Sequence, residues 1–218
     1  ITGFYNIKRV QTIHASLRYF SLGKISFTDD QGNAIRDFTP NELALDLGYS
    51  RKLGKIVSVG ATLRFIYSNL ATGVEVGGSG NLVRPGYAGA ADISFMVDKT
   101  FGAKKGNMTH QLFAGMNISN IGSKISYTSS TTKDYIPTNL ALGLGYNLNI
   151  DKNSTVGVYF DLNKLLVPTP IPPSIYTETS GPNKGKIKAE YDKNANGVAD
   201  YREANPITGI FQSFSTKV

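Results

Sequence analysis

At 218 residues the chain has room for one β-rich domain or two small ones. Its 23 glycines, 12 tyrosines and 11 phenylalanines, set against no tryptophan and no cysteine, exclude a disulfide scaffold and a thiolate metal site. A formal net charge of +7 is spread through turns and loops (Lys52, Lys55, Lys104, Lys105, Lys184, Lys186), which argues against a nucleic-acid interface but leaves anionic lipid or acidic partners open.

The chain opens "ITGFYNIKRV", with no signal peptide, and reads from its first residue as the interior of a domain; it closes on a strand-like "GIFQSFSTKV". Both ends look cut, so a longer protein is expected. No run of about 18 apolar residues occurs, which excludes a transmembrane helix but not a barrel, whose alternating strands escape hydropathy averages.

From Thr12 onward the chain alternates with period two. Ile13, Ala15, Leu17 and Tyr19 oppose His14, Ser16 and Arg18. Leu43, Leu45, Leu47 and Tyr49 oppose Glu42, Ala44, Asp46 and Gly48. Val57, Val59, Ala61, Leu63, Phe65 and Tyr67 oppose Ser58, Gly60, Thr62, Arg64 and Ser68, with Ile66 breaking the polar set. Further runs centre on Ile93, on Ala114, on Leu144 and on Val158, and a last strand is expected near Ile207. The polar faces are rich in Gly, Ser, Asn and Asp rather than in Lys, Glu and Thr. That composition suits a crowded or wet barrel interior, and the tyrosines ending the apolar faces suit an interfacial girdle.

The connections carry more weight. Short ones (51–55, 99–107, 149–153) alternate with long ones (21–41, 69–85, 120–137, 168–206), the asymmetry of outer-membrane barrels with short periplasmic turns and long extracellular loops. The expectation is therefore a single all-β unit over residues 1–218, an antiparallel transmembrane barrel wall of about eight strands. "VPTPIPPS" (residues 167–174) marks the exit from the wall into the longest loop. The glycine-rich stretch 73–86 lacks the lysine and helix of a phosphate loop and reads as an extracellular loop whose Val74, Val76, Leu82 and Val83 offer apolar contacts.

Three segments resemble one family: "HASLRYFSLGKISFTD" (14–29), "DLNKLLVPTPIPP" (161–173) and "GIFQSF" (209–214) are similar to PorV, the outer-membrane component of the Bacteroidetes type IX secretion system. The resemblance covers most of the chain apart from the loop around 176–205. It implies a fourteen-stranded FadL-like barrel, and a protein that is not an enzyme. It also implies partners: the SprA/Sov translocon barrel, the C-terminal signal domain of secreted cargo, and the PorU attachment complex to which cargo is delivered. The alternative of a different class is a FadL-like transporter of hydrophobic small molecules. An outer-membrane hydrolase is disfavoured, because His14 and His110 are the only histidines, and parity makes one an interior polar group and the other an interfacial ring.

One motif stands outside the resemblance. "DKNANGVADYRE" (192–203) places oxygen ligands at the calcium-loop positions: Asp192, Asn194, Asn196, the Val198 carbonyl, Asp200 and Glu203, with Gly197 at the turn. Calcium is the one cofactor expected, in a loop without the flanking helices of an EF-hand. Arg18, Asp46, Arg64, Asp92 and Asp161 are expected to point inward and to fill the lumen rather than to line a conduction path.

Overall fold

The computed structural model describes residues 1–29, 31–76, 81–102, 108–128, 133–168, 177–195 and 198–214. Eight antiparallel strands form one sheet in the order β1 (Thr2–Ile7), β2 (Gln11–Ser21), β5 (Asn41–Leu53), β6 (Val57–Asn69), β9 (Gly86–Phe101), β10 (Thr109–Gly122), β11 (Asn139–Asn149) and β12 (Thr155–Leu165). Each wall strand pairs with its neighbour in sequence, so the sheet is an up-and-down meander. It is open, with β1 and β12 at its edges, and corresponds to part of a barrel wall. Among the described residues no helix is long and apolar enough to cross a membrane.

Two features differ from the sequence reading. Thr2–Ile7 is a strand, paired from Thr2↔Ser16 to Ile7↔Gln11, although "TGFYNI" lacks alternation. The expected last strand near Ile207 is instead a helix, α2 (Pro206–Gln212), preceded by the single turn α1 (Asp200–Glu203). Asn205 caps α2 by accepting from the Thr208 N–H at 2.8 Å, and Pro206 sits at its first position, where a missing N–H costs nothing. The wall therefore contains eight strands, with β1 and not the Ile207 segment as the eighth.

The period-two pattern decides the faces. Leu47, Leu63, Ile93, Leu144 and Val158 stand exposed on the apolar face, as side chains meant for lipid rather than for a protein core would. Aromatic groups flank that face at both ends: Tyr67 and Tyr87 lie 5.4 Å apart at one, and Phe101 stacks on His110 at 5.4 Å at the other. On the opposite face the His14 ring lies over Gly48, its partner across the β2–β5 ladder; a Cβ there would come within 2.0 Å of the ring.

The two ends of the sheet are unlike. Among the described residues, one end carries turns. Lys8 and Arg9 both have positive φ (49° and 56°), closing β1–β2 through the Val10 N–H to Ile7 C=O bond. Asp151 caps the β11–β12 turn by accepting from the N–H groups of Asn153 and Ser154, each at 2.8 Å, and these bonds hold its carboxyl below the usual range. The other end carries the hairpin β3 (Ile25–Thr28) with β4 (Ala34–Phe38), the short ladder β7 (Glu75–Val76) with β8 (Asn81–Leu82), residues 123–138, and α1 and α2. Segments 21–41 and 69–85, read from the sequence as loops, therefore each carry a pair of strands among their described residues.

Candidate functional site

The polar face holds an ion-paired cluster in mid-wall. Asp46 on β5, Arg64 on β6 and Asp92 on β9 sit on adjacent strands in directly paired or near-paired positions, so period two places all three side chains on one face. The Arg64 Nε donates to Asp46 at 2.7 Å, and its Nη2 donates to Asp92 at 2.8 Å. Arg18 and the Ser16 hydroxyl donate to the second Asp46 oxygen, each at 2.9 Å. Arg64 and Asp46 are only 12% and 8% exposed, so each needs the other; removing one partner of such a pair costs about 3–5 kcal/mol. Four of the five inward charges expected from the sequence thus meet. Asp161 faces the same way but does not join them; it lies over Gly143 near the β12 edge of the sheet.

A residue the sequence did not single out ties this cluster to the loops. Asn120 sits at a bulge in β10, where the register to β9 shifts between Ile118 and Ile121, and it has φ +58°. Its N–H donates to Asp92 at 2.8 Å, its Oδ1 accepts from Arg64, its Nδ2 donates to the Pro137 C=O at 3.0 Å, and its own C=O accepts from Thr138. Asn tolerates the left-handed conformation better than other residues with a Cβ. The bulge turns the chain over the polar face, and the amide locks it there.

Beyond Asn120, residues 123–128 and 133–138 pack on that face. Ile125 (9% exposed) and Ile136 (5%) cover Ala88 and Ala90, with Ile66 and Tyr127 alongside. Each buried isoleucine contributes about 1.5–3 kcal/mol relative to exposure. The segment is pinned by main-chain bonds from Arg84 N–H to Tyr127 C=O at 2.7 Å and from Ser123 N–H to Gly89 C=O at 2.8 Å. Tyr127 donates to the Ser68 hydroxyl at 3.0 Å, and Ser68, 1% exposed, donates to Glu42 at 2.7 Å. Ile66, which broke the alternation in the sequence, does so because its inward side meets this apolar layer.

A second layer clasps the first. The Arg202 guanidinium pairs with Asp134 at 2.7 Å, Lys124 donates to the Arg202 C=O, and Tyr135 donates to the Tyr201 C=O at 3.1 Å. The Lys124 ammonium also lies 4.2 Å from the Tyr135 ring centre. Burial pulls Lys124 below its ordinary range and pushes the Tyr135 hydroxyl above its own. Gly209 of α2 is buried against Tyr135 and Pro168, at a spot where a Cβ would press within 2.9 Å of the ring.

The calcium-like stretch follows on this end. Asn196 and Gly197 lie outside the described residues. Asn194 donates through its amide to Glu203 at 2.7 Å, and the Lys193 N–H donates to Asp200 at 3.1 Å, so loop positions 3 and 12 meet and position 9 folds back on position 2. Asp192 is buried at 7% exposure, and the Ala195 N–H donates to its C=O. Val198 opens the approach to α1, which carries Asp200 and Glu203. That single helical turn occupies the motif's last four positions, and among the described residues no helix leads into the motif. Among the described residues no three His, Cys, Asp or Glu side chains converge as a metal set. The two histidines sit apart: His14 faces Thr62 at 3.4 Å on the polar face, and His110 bonds the Tyr146 hydroxyl at 2.6 Å beside Phe101. Neither has the partners of a hydrolase triad.

Residues 1–172, from the first wall strand to just past the last, match the family model described as Type IX secretion system protein PorV. The chain belongs to the PorV family. The family is one of secretion-system components, and the matched span takes in the whole sheet, the Asp46–Arg64–Asp92 cluster and the inward-folded residues 123–138. The clasp over 198–214 lies beyond it, as does the third segment on which the sequence resemblance rested. No curated protein matches the chain.

Proposed function

We propose that this chain is the wall of an outer-membrane barrel that binds the C-terminal signal domain of cargo leaving the SprA/Sov translocon and passes it to the PorU attachment complex. Membership of the PorV family supports a role in type IX secretion. The observation that carries the finer reading is the concentration of folded structure at one end of the sheet. The β3–β4 hairpin, the β7–β8 ladder and the clasped layers all project there, while the opposite end carries turns. In this reading the built-up end is extracellular and the turns are periplasmic, with the exposed apolar face in lipid.

The β3–β4 hairpin presents exposed Ile25 and Ile35, and β8 presents Leu82, 51% exposed, beside Val83. These are apolar groups accessible to an arriving protein domain, as are Ile207 and Phe211 of α2. Capture of the intact protein from native membranes tests the proposal. Co-purification of a giant translocon barrel or of signal-domain cargo is expected, and recovery of neither overturns it. Loss of fatty-acid uptake on deletion would favour a FadL-like transporter instead.

Calcium binding by residues 192–203 is a further part of the proposal. The Asn194–Glu203 contact supports it, since an ion held between those positions replaces a hydrogen bond already made there. A bound ion stiffens the segment that clasps residues 123–138, which lowers the ordering cost of partner contact.

A further inference from the structure

We infer that residues 120–128 and 133–138 form a fixed constriction inside the barrel, so that the long-loop mouth of this wall is narrowed from within and does not serve as an open solute path. This goes beyond cargo handling and does not depend on it.

Three independent observations converge. First, the polar face changes character toward this mouth. Thr62, Arg64 and Asp92 in mid-wall give way to Ile66, Ala88 and Ala90 near the rim, residues a wet mouth would leave exposed. They are not exposed: Ala88 is 4% and Ala90 8% accessible, because Ile125 and Ile136 cover them. Second, the segment is tied to the wall at both roots. Asn120 bonds Asp92, Arg64 and the Pro137 carbonyl, and the Leu166 N–H of the β12 exit donates to the Thr138 C=O at 2.7 Å. Third, it is tied from outside by Lys124, Asp134 and Tyr135 to the segment 201–209. A segment held on its wall side, at its roots and on its outer side has one packed position, and apolar packing of this kind has no continuous intermediate states.

The absence of cysteine from the chain makes the placement directly testable. A Cβ added at Gly86 would lie 2.7 Å from the Ile125 Cγ1, one bond short of the Ile125 Cβ, which puts the two Cβ atoms close to disulfide spacing of about 3.5–4.5 Å. The intact protein carrying Gly86→Cys and Ile125→Cys, oxidised gently in native membranes, is expected to cross-link. A Gly86→Cys and Ile35→Cys control, which pairs the wall with the β3–β4 hairpin, is not. Conductance in planar bilayers then tests the constriction. The wild type and the cross-linked variant should conduct alike. Replacement of residues 124–134 by a short Gly-Ser linker should raise conductance several-fold. If that variant loses the heat-modifiable gel mobility of a folded barrel, Ile125→Asp with Ile136→Asp serves in its place. Failure of the cross-link in a folded, thiol-reactive protein overturns the placement. Equal conductance of the wild type and a folded opened variant overturns the constriction.

Discussion

The two ends of the sheet solve different problems. At the turn end the β1–β2 and β11–β12 connections are self-contained: Lys8 and Arg9 adopt the left-handed region within their own turn, and Asp151 caps N–H groups two and three residues away. At the other end the β3–β4 hairpin closes on itself, but the layers over the polar face do not. Residues 123–138 depend on Asn120, Arg64 and Ser68 beneath them and on Arg202 and Gly209 above. Damage should therefore stay local at one end and spread at the other, because interlocked layers couple where independent turns add.

Replacing Arg64 with Leu should produce the largest effect. It strands Asp46 and Asp92 without their shared cation and cuts the tie to Asn120, at a cost of about 3–5 kcal/mol in urea unfolding of the detergent-solubilised protein. Hydrogen exchange should rise through 120–138 and not at the turns. Asp98→Ala, which removes an exposed bond from Gln111 at the turn end, should change stability by no more than about 0.5 kcal/mol. Equal losses from the two variants would erase the contrast between the ends.

Calcium should act next in size. A loop of this kind is expected to bind with a Kd on the order of 10⁻⁴–10⁻³ M. At about 10 mM ion and the weak limit of that range, the linked stabilisation is about 1.4 kcal/mol, read as a shift of the thermal midpoint. Terbium luminescence should follow the same titration and vanish in Asp192→Ala with Glu203→Gln. An unchanged midpoint and no luminescence would remove the metal from the account.

Lys8→Asn with Arg9→Gly should stabilise by about 1 kcal/mol, since both positions hold a conformation that costs ordinary side chains energy. Exchange at residues 123–138 should not change. The smallest effect is pH dependence in the β3–β4 hairpin. The bond from Lys24, then that from Ser26, holds the Asp37 carboxyl below its ordinary range. A lowered carboxylate contributes stability above its unfolded pKa and loses it as pH falls through the folded value. Hairpin amide protection should be constant at neutral pH and fall only on acidification below the ordinary carboxylate range, and Lys24→Met should weaken that dependence to the part that the Ser26 bond supplies.

Much of the wall was legible because period two survives any tertiary context in which one face meets lipid. The segments that escaped did so for identifiable reasons. In β1, "TGFYNI" sets two aromatics side by side, and its turn uses Lys8 and Arg9 where glycine or asparagine would have announced it. The β3–β4 hairpin is short, although "DDQGN" (29–33) between "ISFT" and "AIRDF" is a turn signal, and Asp29 does accept from the Gln31 and Asn33 N–H groups. In α2 the alternation of "PITGIFQ" masked the Asn-Pro start that was present at 205–206. The inward layer left one trace, the apolar Ile66, Ala88 and Ala90 on an otherwise polar face. Its cause, a bulge at Asn120, is a backbone event that residue types do not announce. In the 192–203 stretch, spacing does not say which groups meet, and the Asn194 amide donating to Glu203 is a contact that only the fold brings about.

The notch at Gly48 bears on how the wall is assembled. Moving β2 by two residues along β5 keeps every apolar side chain facing lipid, so hydrophobicity alone does not reject that error. The His14 ring does: it occupies the space of a missing side chain, and the neighbouring inward positions on β5, Asp46 and Ser50, each carry one. Steric fit at a single cross-strand pair thus proofreads a register that the lipid cannot read.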